Sequence, residues 1–304
     1  MGYPRIFAKE ASMNTITKAI IPLAGLGTRY LPLSKVIPKE FFPLADKPLI
    51  QYALEELKAS GVTEVIFVVH TNRKFIAEYL KKSPQLEKIL EEGKQDSLLE
   101  DLRELEKMSE GVTFSYVLDK PLGDGHAVLQ ARRVLGDEPC FVIYPDDIIE
   151  AKTPCALQLA QVFRTSQKPV IALSQLSREK LSSYGIVGVE KIAHKLYKIK
   201  KIIEKPLKET VPSNLAIVGR SILTPEVFEY LKRARPNKKG EISLSETLGD
   251  MVKDGKIVYG YEFEGRWVEC GTKEKWMHSF VYFAARHPKF GKGIRSFLKE
   301  EKLL

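Results

Sequence analysis

Short apolar runs, each bounded by glycine, proline or acidic residues, alternate along this chain with stretches whose apolar residues repeat at helical spacing. The first run, residues 19–24, is rich in branched side chains and predicts a buried parallel strand. Leu49, Ile50, Ala53, Leu54 and Leu57 then mark one face of a helix, and Gly61 stops it. Glu64–Val69 predicts a second buried strand. Strand, loop, helix, strand in that order is the right-handed crossover unit of a parallel sheet covered by helices on both faces. Residues 112–117, 140–144 and 170–176 continue as strands, and a helix headed by His126 runs to about Leu135. Residues 83–110, heavily charged with leucines at helical spacing, predict an inserted pair of helices. Residues 273–304 have helical texture, with Trp276, Phe280, Val281, Phe283 and Ala284 apolar and a basic amphipathic end.

Composition narrows the class. The chain has 304 residues, 44% hydrophobic and 29% charged, which fits a globular protein with a full core. No apolar run approaches the ~18 residues of a membrane-spanning helix. Residues 1–15 lack the apolar core of a signal peptide, and Ile6 breaks the pattern for N-terminal acylation, so 1–17 is expected to be a flexible extension. Cys140, Cys155 and Cys270 are odd in number and show no metal-ligand spacing, which argues against disulfides and zinc and for the reducing cytoplasm. The net charge of +9 suits an acidic partner: a nucleotide, a nucleic acid or an anionic surface. Much of the excess lies at 191–208 without the interleaved aromatics of a strand-binding surface, and reads as a solvated face.

Candidate chemistry begins where the first strand ends. Gly25 and Gly27 free the turn of side chains, so that backbone amides, the Thr28 hydroxyl and the Arg29 guanidinium can close on phosphate. Tyr30 stands where a dinucleotide fingerprint needs its third glycine, and the Gly-Lys-Ser/Thr of a P-loop is absent. Lys39 and Glu40 lie between Pro38 and Pro43 in what reads as a stiff extended segment. Gly123 and Gly125 permit a tight turn before His126, which as a lone histidine is a cap, a packed side chain or a ligand contact. Asp146 and Asp147 at a strand's end are either helix caps or oxygen ligands for a hard cation. Gly185 leaves room for a flat ring, and Glu204-Lys205-Pro206 sets an acceptor beside a cation, with the proline expected to keep Lys205 extended.

Gly-Leu-Gly-Thr-Arg at 25–29, Pro-Lys-Glu at 38–40 and Asp-Lys-Pro-Leu-Ile-Gln-Tyr at 46–52 resemble the bacterial UTP:glucose-1-phosphate uridylyltransferases, within the sugar-phosphate nucleotidylyltransferase superfamily. The similarity runs with interruptions from Lys18 to His287 and includes Pro-Ser-Asn-Leu-Ala-Ile-Val-Gly-Arg at 212–220. The resemblance implies an α/β fold: a Rossmann-like central sheet, mixed but mainly parallel, flanked by helices. It implies a nucleotidyltransferase domain at 18–288, with a small sugar-side subdomain at about 177–222 and a C-terminal helix at 289–304.

The activity implied is synthesis of UDP-glucose and pyrophosphate from UTP and glucose 1-phosphate. The nucleotide is assigned to Ala24, Gly25, Gly27, Thr28, Arg29, Glu40, Gly125 and His126, and the sugar phosphate to Gly185, Glu204, Lys205 and Val218. Arg29, Lys39 and Lys205 are the catalytic cations, and Asp146 and Glu269 are the ligands of a Mg²⁺ cofactor. A homodimer or homotetramer is implied, with neither nucleic acid nor membrane as partner. Two departures stand out. Glu269 occupies the place of a second metal-binding aspartate, and residues 117–121 lack the glutamine that reads the pyrimidine edge. The first admits a non-catalytic nucleotide- or sugar-phosphate-binding regulator. The second admits a thymidylyltransferase, or a uridylyltransferase for another hexose 1-phosphate.

Overall fold

In the computed structural model, which describes residues 16–70 and 73–303, the first apolar run forms β1 (Lys18–Leu23) at the centre of a nine-stranded sheet. On one side β1 pairs in parallel with β4 (Glu64–Val69), and β4 with β5 (Thr113–Leu118). On the other it pairs in parallel with β6 (Cys140–Ile143). The crossovers are helical: α1 (Leu49–Ala59) joins β1 to β4, and α5 (Asp124–Leu135) joins β5 to β6. The hairpin β2 (Pro43–Leu44) and β3 (Lys47–Pro48) leads into α1. The inserted helices are α3 (Pro84–Glu92) and α4 (Asp96–Ser109), preceded by α2 (Arg73–Leu80).

Strand periodicity explains why both faces of the sheet are apolar. Ala19, Ile21 and Leu23 of β1, with Val65, Phe67 and Val69 of β4, face α1 and α6 (Cys155–Ser166). Ile20, Ile66 and Val68 face the other way, onto α5, α7 (Pro225–Arg233) and α8 (Leu244–Lys253). Neighbouring side chains on a strand therefore belong to two different cores, as continuous apolar runs demand.

The far half of the sheet departs from expectation. β11 (Leu215–Leu223) runs antiparallel to both β6 and β8 (Val170–Gln175). β12 (Tyr259–Glu262) joins β8 in parallel, and β10 (Leu196–Glu204) and β9 (Gly185–Ala193) follow antiparallel. A single pairing of Ala216 with Ile186 brings β9 back to β11, so these five strands close on themselves. The sheet is thus about evenly parallel and antiparallel, not mainly parallel. The sugar-side region is likewise not an isolated subdomain at 177–222: it borrows β8 and β12, and β11 belongs to both halves.

Two shorter pieces complete the frame. β7 (Asp147–Glu150) pairs with β13 (Arg266–Glu269), placing Glu269 opposite Asp147. α9 (Lys273–Arg286) packs Trp276, Phe280 and Phe283 against Tyr30, Phe42, Ile148 and Val268, and α10 (Gly291–Glu300) forms the expected C-terminal helix. Of the expected N-terminal extension, residues 1–15 lie outside the described residues. Ile16 is buried in the main core and the Thr17 carbonyl accepts from Thr63 and Glu64, so 16–17 belong to the domain.

One polar pair lies inside this apolar frame. Arg220 of β11 and Glu56 of α1 are both buried, with the guanidinium Nε 2.9 Å from Glu56 Oε2. Removing one partner leaves an uncompensated charge in the core. Arg220→Met is expected to cost about 3–5 kcal/mol in urea denaturation. The double variant Glu56→Gln/Arg220→Met is expected to cost less than the sum of the two single changes, because the second change removes the charge that the first stranded.

Candidate active site

The loops after β1, β5 and β6 gather at the C-terminal ends of parallel strands, where α/β sheets take ligands. After β1, Gly27 adopts φ +63°, and Tyr30 N–H donates to its carbonyl across the turn. A side chain there would be strained in a left-handed backbone. Gly25, Thr28 and Arg29 are exposed on this turn, while Ala24 is buried behind it. Tyr30 points inward against Phe42, ring centroids 4.8 Å apart, and so fixes the base of the loop.

Pro38-Lys39-Glu40 is not extended, as the flanking prolines predicted. Residues Lys39–Phe41 form a 3₁₀ turn, closed by Phe41 N–H to Pro38 O and Phe42 N–H to Lys39 O. The turn buries Glu40 and Phe42 and leaves Lys39 facing the site. Lys39 Nζ donates to Asp146 Oδ2 at 2.6 Å, across 107 residues of sequence.

Asp146 and Asp147 have different work. Asp147 Oδ2 accepts the Gly219 amide at 3.0 Å and its Oδ1 accepts the Trp267 indole N–H at 2.8 Å, which makes it a bracket between β7, β11 and β13. Burial and the neighbouring Asp146 charge push its pKa up to about 7. Burial would raise Asp146 too, but the charge and hydrogen bond of Lys39 hold it below the usual carboxylate value, with Arg29 contributing. Arg29 itself enters no ion pair among the described residues.

The Gly125-His126 turn is built differently from the expectation. The Gly125 N–H donates to Ile242 O at 2.9 Å and to the Asp124 carboxylate, so it is spent on the fold. A Cβ on Gly125 would stand 2.9 Å from Leu244 N, and one on Gly123 still closer to Ile242 O, so the two glycines let this helix start touch the 242–244 backbone. His126 Nδ1 lies 2.9 Å from Asp119 Oδ2, and the ring lines an open groove of about 480 Å³ with His70, Lys120, Leu122 and Arg133. Asp119 thus stands in the stretch that lacks a glutamine and orients the histidine.

The sugar-side residues converge from the closed strand ring. Gly185 and Glu204 are direct partners at the joined ends of β9 and β10. Glu204 Oε2 accepts from Ser245 at 3.0 Å, and Glu204 Oε1 lies 3.6 Å from Lys205 Nζ. Lys205 is not extended: its φ is +47°, and its amide donates to Tyr184 O at 3.0 Å. That hydrogen bond and the buried Pro206 hold the turn against the preference of a pre-proline residue. Val218 is 1% exposed and packs in the main core, so it offers a sugar no accessible surface here.

Glu269 is brought to the same end of the site, where the following Cys270 amide donates to Asp146 O at 2.7 Å. Its own carboxylate is engaged, with Oε1 accepting from Lys275 at 2.7 Å and Oε2 from the Tyr184 hydroxyl. Asp146 fits a hard cation of the Mg²⁺ kind: a carboxylate held ionised beside Asp147, where such an ion takes one or two carboxylates and fills its shell with phosphate and water. Among the described residues no three His, Cys, Asp or Glu side chains form a ready metal cluster. A partly open cleft of about 320 Å³ lies elsewhere, between α1, β7 and α9, lined by Tyr52, Glu55, Glu150, Tyr282 and Arg286.

Several working residues carried little sequence signal. Glu56 sits within the apolar stripe of α1, a carboxylate at a core position that could have marked a buried pair. Asp124 Oδ2 accepts from Tyr144 at 2.7 Å and Oδ1 from Leu244 N–H, and burial raises its pKa despite those bonds. Nothing in the local sequence marks Lys275.

A family model described as nucleotidyl transferase matches residues 18–284. The chain is 38% identical to UTP-glucose-1-phosphate uridylyltransferase 1 of Staphylococcus saprophyticus over 285 residues, 93% of this chain and 98% of that one. It superposes on a UTP-bound UGPase from Acinetobacter baumannii with TM-score 0.85 at 31% identity, covering 94% of this chain and 99% of the other. A UDP-glucose pyrophosphorylase complexed with UDP-glucose gives TM-score 0.81 at 34% identity, over 90% and 100% of the two chains. A sheet whose strand ends collect a glycine turn, a lysine-aspartate pair and a glutamate-lysine turn agrees with both comparisons, and the chain belongs to the nucleotidyl transferase family, among its UTP:glucose-1-phosphate uridylyltransferases.

Proposed function

We propose that this enzyme makes UDP-glucose by direct in-line attack of a glucose 1-phosphate oxygen on the α-phosphorus of UTP. The new bond joins that oxygen to phosphorus, the bond from the α-phosphorus to its bridging oxygen breaks, and pyrophosphate leaves with the electron pair. No covalent enzyme intermediate is needed, so the protein's task is to hold two anions together and to balance their charge.

The observation that carries this reading is Lys39 on Asp146, 2.6 Å apart beside the glycine turn, with the Lys205 turn closed onto the Tyr184 carbonyl at the ends of β9 and β10. Lys39 and Arg29, which makes no ion pair among the described residues, would receive the triphosphate and the departing pyrophosphate. Exposed Gly25 and Thr28 offer the turn's amides and hydroxyl, and buried Ala24 and Glu40 back them. Lys205, exposed beside Glu204, would take the sugar phosphate, and Glu204 the sugar hydroxyls beside Gly185. His126, fixed by Asp119, would border the base. Mg²⁺ held by Asp146, when bound, would supply charge neutralisation at the phosphates. Lys39 would then give up its contact with Asp146 and turn to phosphate oxygens.

The same reading carries a reducing cytoplasm, supported by three free, buried cysteines. It also carries assembly into two or four copies, supported by exposed Met277, Val281 and Phe297 on α9 and α10.

Purified protein with glucose 1-phosphate and Mg²⁺ is expected to release pyrophosphate with UTP in preference to dTTP, ATP, CTP and GTP. A preference for dTTP would keep the mechanism and move the base assignment; ligand binding without turnover would favour a regulator. Removal of divalent cations by EDTA is expected to abolish turnover, and excess Mg²⁺ to restore it. Lys205→Ala is expected to lower kcat about 10²- to 10³-fold, the scale for loss of one preorganised electrostatic donor. Near-normal turnover in that variant would remove Lys205 from its role.

A further inference from the structure

Glu269 stands where the sequence resemblance places a metal-binding aspartate, yet both of its carboxylate oxygens are engaged by protein donors. Oε1 accepts from Lys275 Nζ at 2.7 Å, and Oε2 is bonded by the Tyr184 hydroxyl. Lys275 Nζ also donates to that hydroxyl at 2.7 Å and lies 4.7 Å from the ring centroid of Tyr184. Three side chains from β13, α9 and the loop before β9 thus form a closed triangle in which each contacts the other two. A metal ion taking this carboxylate would leave a half-buried ammonium and a phenol to find new partners, at a cost of some kcal/mol.

The triangle is joined on both sides to the candidate catalytic groups. On the nucleotide side, Cys270 N–H holds Asp146 O, and the Ser279 hydroxyl of α9 donates to Glu269 O at 2.8 Å. The Tyr184 ring meets Trp267 edge-on at 5.1 Å, and the indole of Trp267 donates to Asp147. On the sugar side, the Tyr184 carbonyl accepts the Lys205 amide and so closes the turn with φ +47° that presents the Lys205 side chain.

We propose that Glu269 is a positioning residue instead of a metal ligand: with Lys275 and Tyr184 it clasps the sugar-phosphate loop, and hence Lys205, against the Asp146 end of β7. For its ligands this rests on the uridylyltransferase reading; for its architecture it does not. Glutamate is required because aspartate would withdraw the carboxylate by about one carbon-carbon bond, ~1.5 Å. From there it cannot keep both partners.

Lys275→Met, which retains an apolar stem over the Tyr184 ring, Tyr184→Phe and Glu269→Asp test the clasp. Each is expected to raise KM for glucose 1-phosphate about tenfold, the loss of roughly 1.4 kcal/mol that one charge-assisted hydrogen bond carries. KM for UTP and the Mg²⁺ concentration for half-maximal rate are expected to stay within about twofold. If Glu269→Asp and Lys275→Met instead shift the Mg²⁺ requirement about tenfold and leave KM for the sugar phosphate unchanged, Glu269 is a ligand and the proposal is overturned. Hydrogen exchange of the ligand-free protein supplies a readout independent of activity. Faster exchange confined to residues 183–187 and 204–206 in all three variants supports the clasp, even in an enzyme that turned over no sugar phosphate. Unchanged exchange there overturns it.

Discussion

Arg220 is the point from which the site is held. Its guanidinium gives Nε and a terminal nitrogen to Glu56, and the other terminal nitrogen to the carbonyls of Tyr144 and Gly219, each at 2.9 Å. Glu56 in turn accepts the Ala156 amide at the start of α6 with its other oxygen. A charge in an apolar core is tolerable only when its hydrogen bonds are all made, so these partners are mutually obligatory. Tyr144 directly precedes Pro145 and the two aspartates. The turn that carries the candidate chemistry is therefore fixed from behind by α1 and β11, while its front face is left free for ligands.

With the turn fixed, the two adjacent acids are free to divide their roles. Asp147 spends both oxygens on Gly219 and Trp267, and burial beside Asp146 keeps its proton to about neutral pH. Asp146 stays ionised because Lys39 reaches it. A structural acid that accepts neutral donors and a reactive acid paired with a cation can thus sit side by side without two full charges repelling each other in a partly dry site. The Lys39–Asp146 contact keeps the charge balance of the site, and it is a bond that incoming phosphates can replace.

How much of this the sequence discloses depends on the length scale of the interaction. β1, β4 and β6 are legible because strands buried on both faces need continuous apolar runs. Helix α1 and the inserted helices α3 and α4 are legible because 3.6-residue spacing is a local property. β9 and β10 are harder: their lysines alternate with apolar residues such as buried Ile199, and one face is solvated, as at the Lys200–Glu190 pair. The charged run read as a solvated face is that outer surface, while the closure of the strand ring behind it has no local signature. Local rules misjudged two turns as well. Phe42 and Glu40 pull the Pro38-Lys39 segment into a 3₁₀ turn, and the Tyr184 carbonyl fixes Lys205 in a left-handed turn ahead of a proline. In each case a tertiary contact outweighs a backbone preference worth little more than 1 kcal/mol. Motifs singled out Gly27, Lys39, Asp146 and Glu204, which the fold carries on its turns and strand ends, but they did not mark Asp119, Asp124 or Lys275, whose partners lie on other elements.

β11 makes the two halves of the molecule one mechanical piece. Its C-terminal end pairs with β6, the strand that leads to Asp146, while its N-terminal end pairs with β9, the strand that begins at Gly185. The spacing between the nucleotide end and the sugar end is thus set along one strand by covalent geometry, which cannot stretch. The triangle of Glu269, Lys275 and Tyr184 adds a second link between the two ends, with Tyr184 packed on the cluster that includes Ala216 of β11. A site that must bring one phosphate anion against another gains from rigidity on both sides, because each ångström of slack would be taken up by their repulsion.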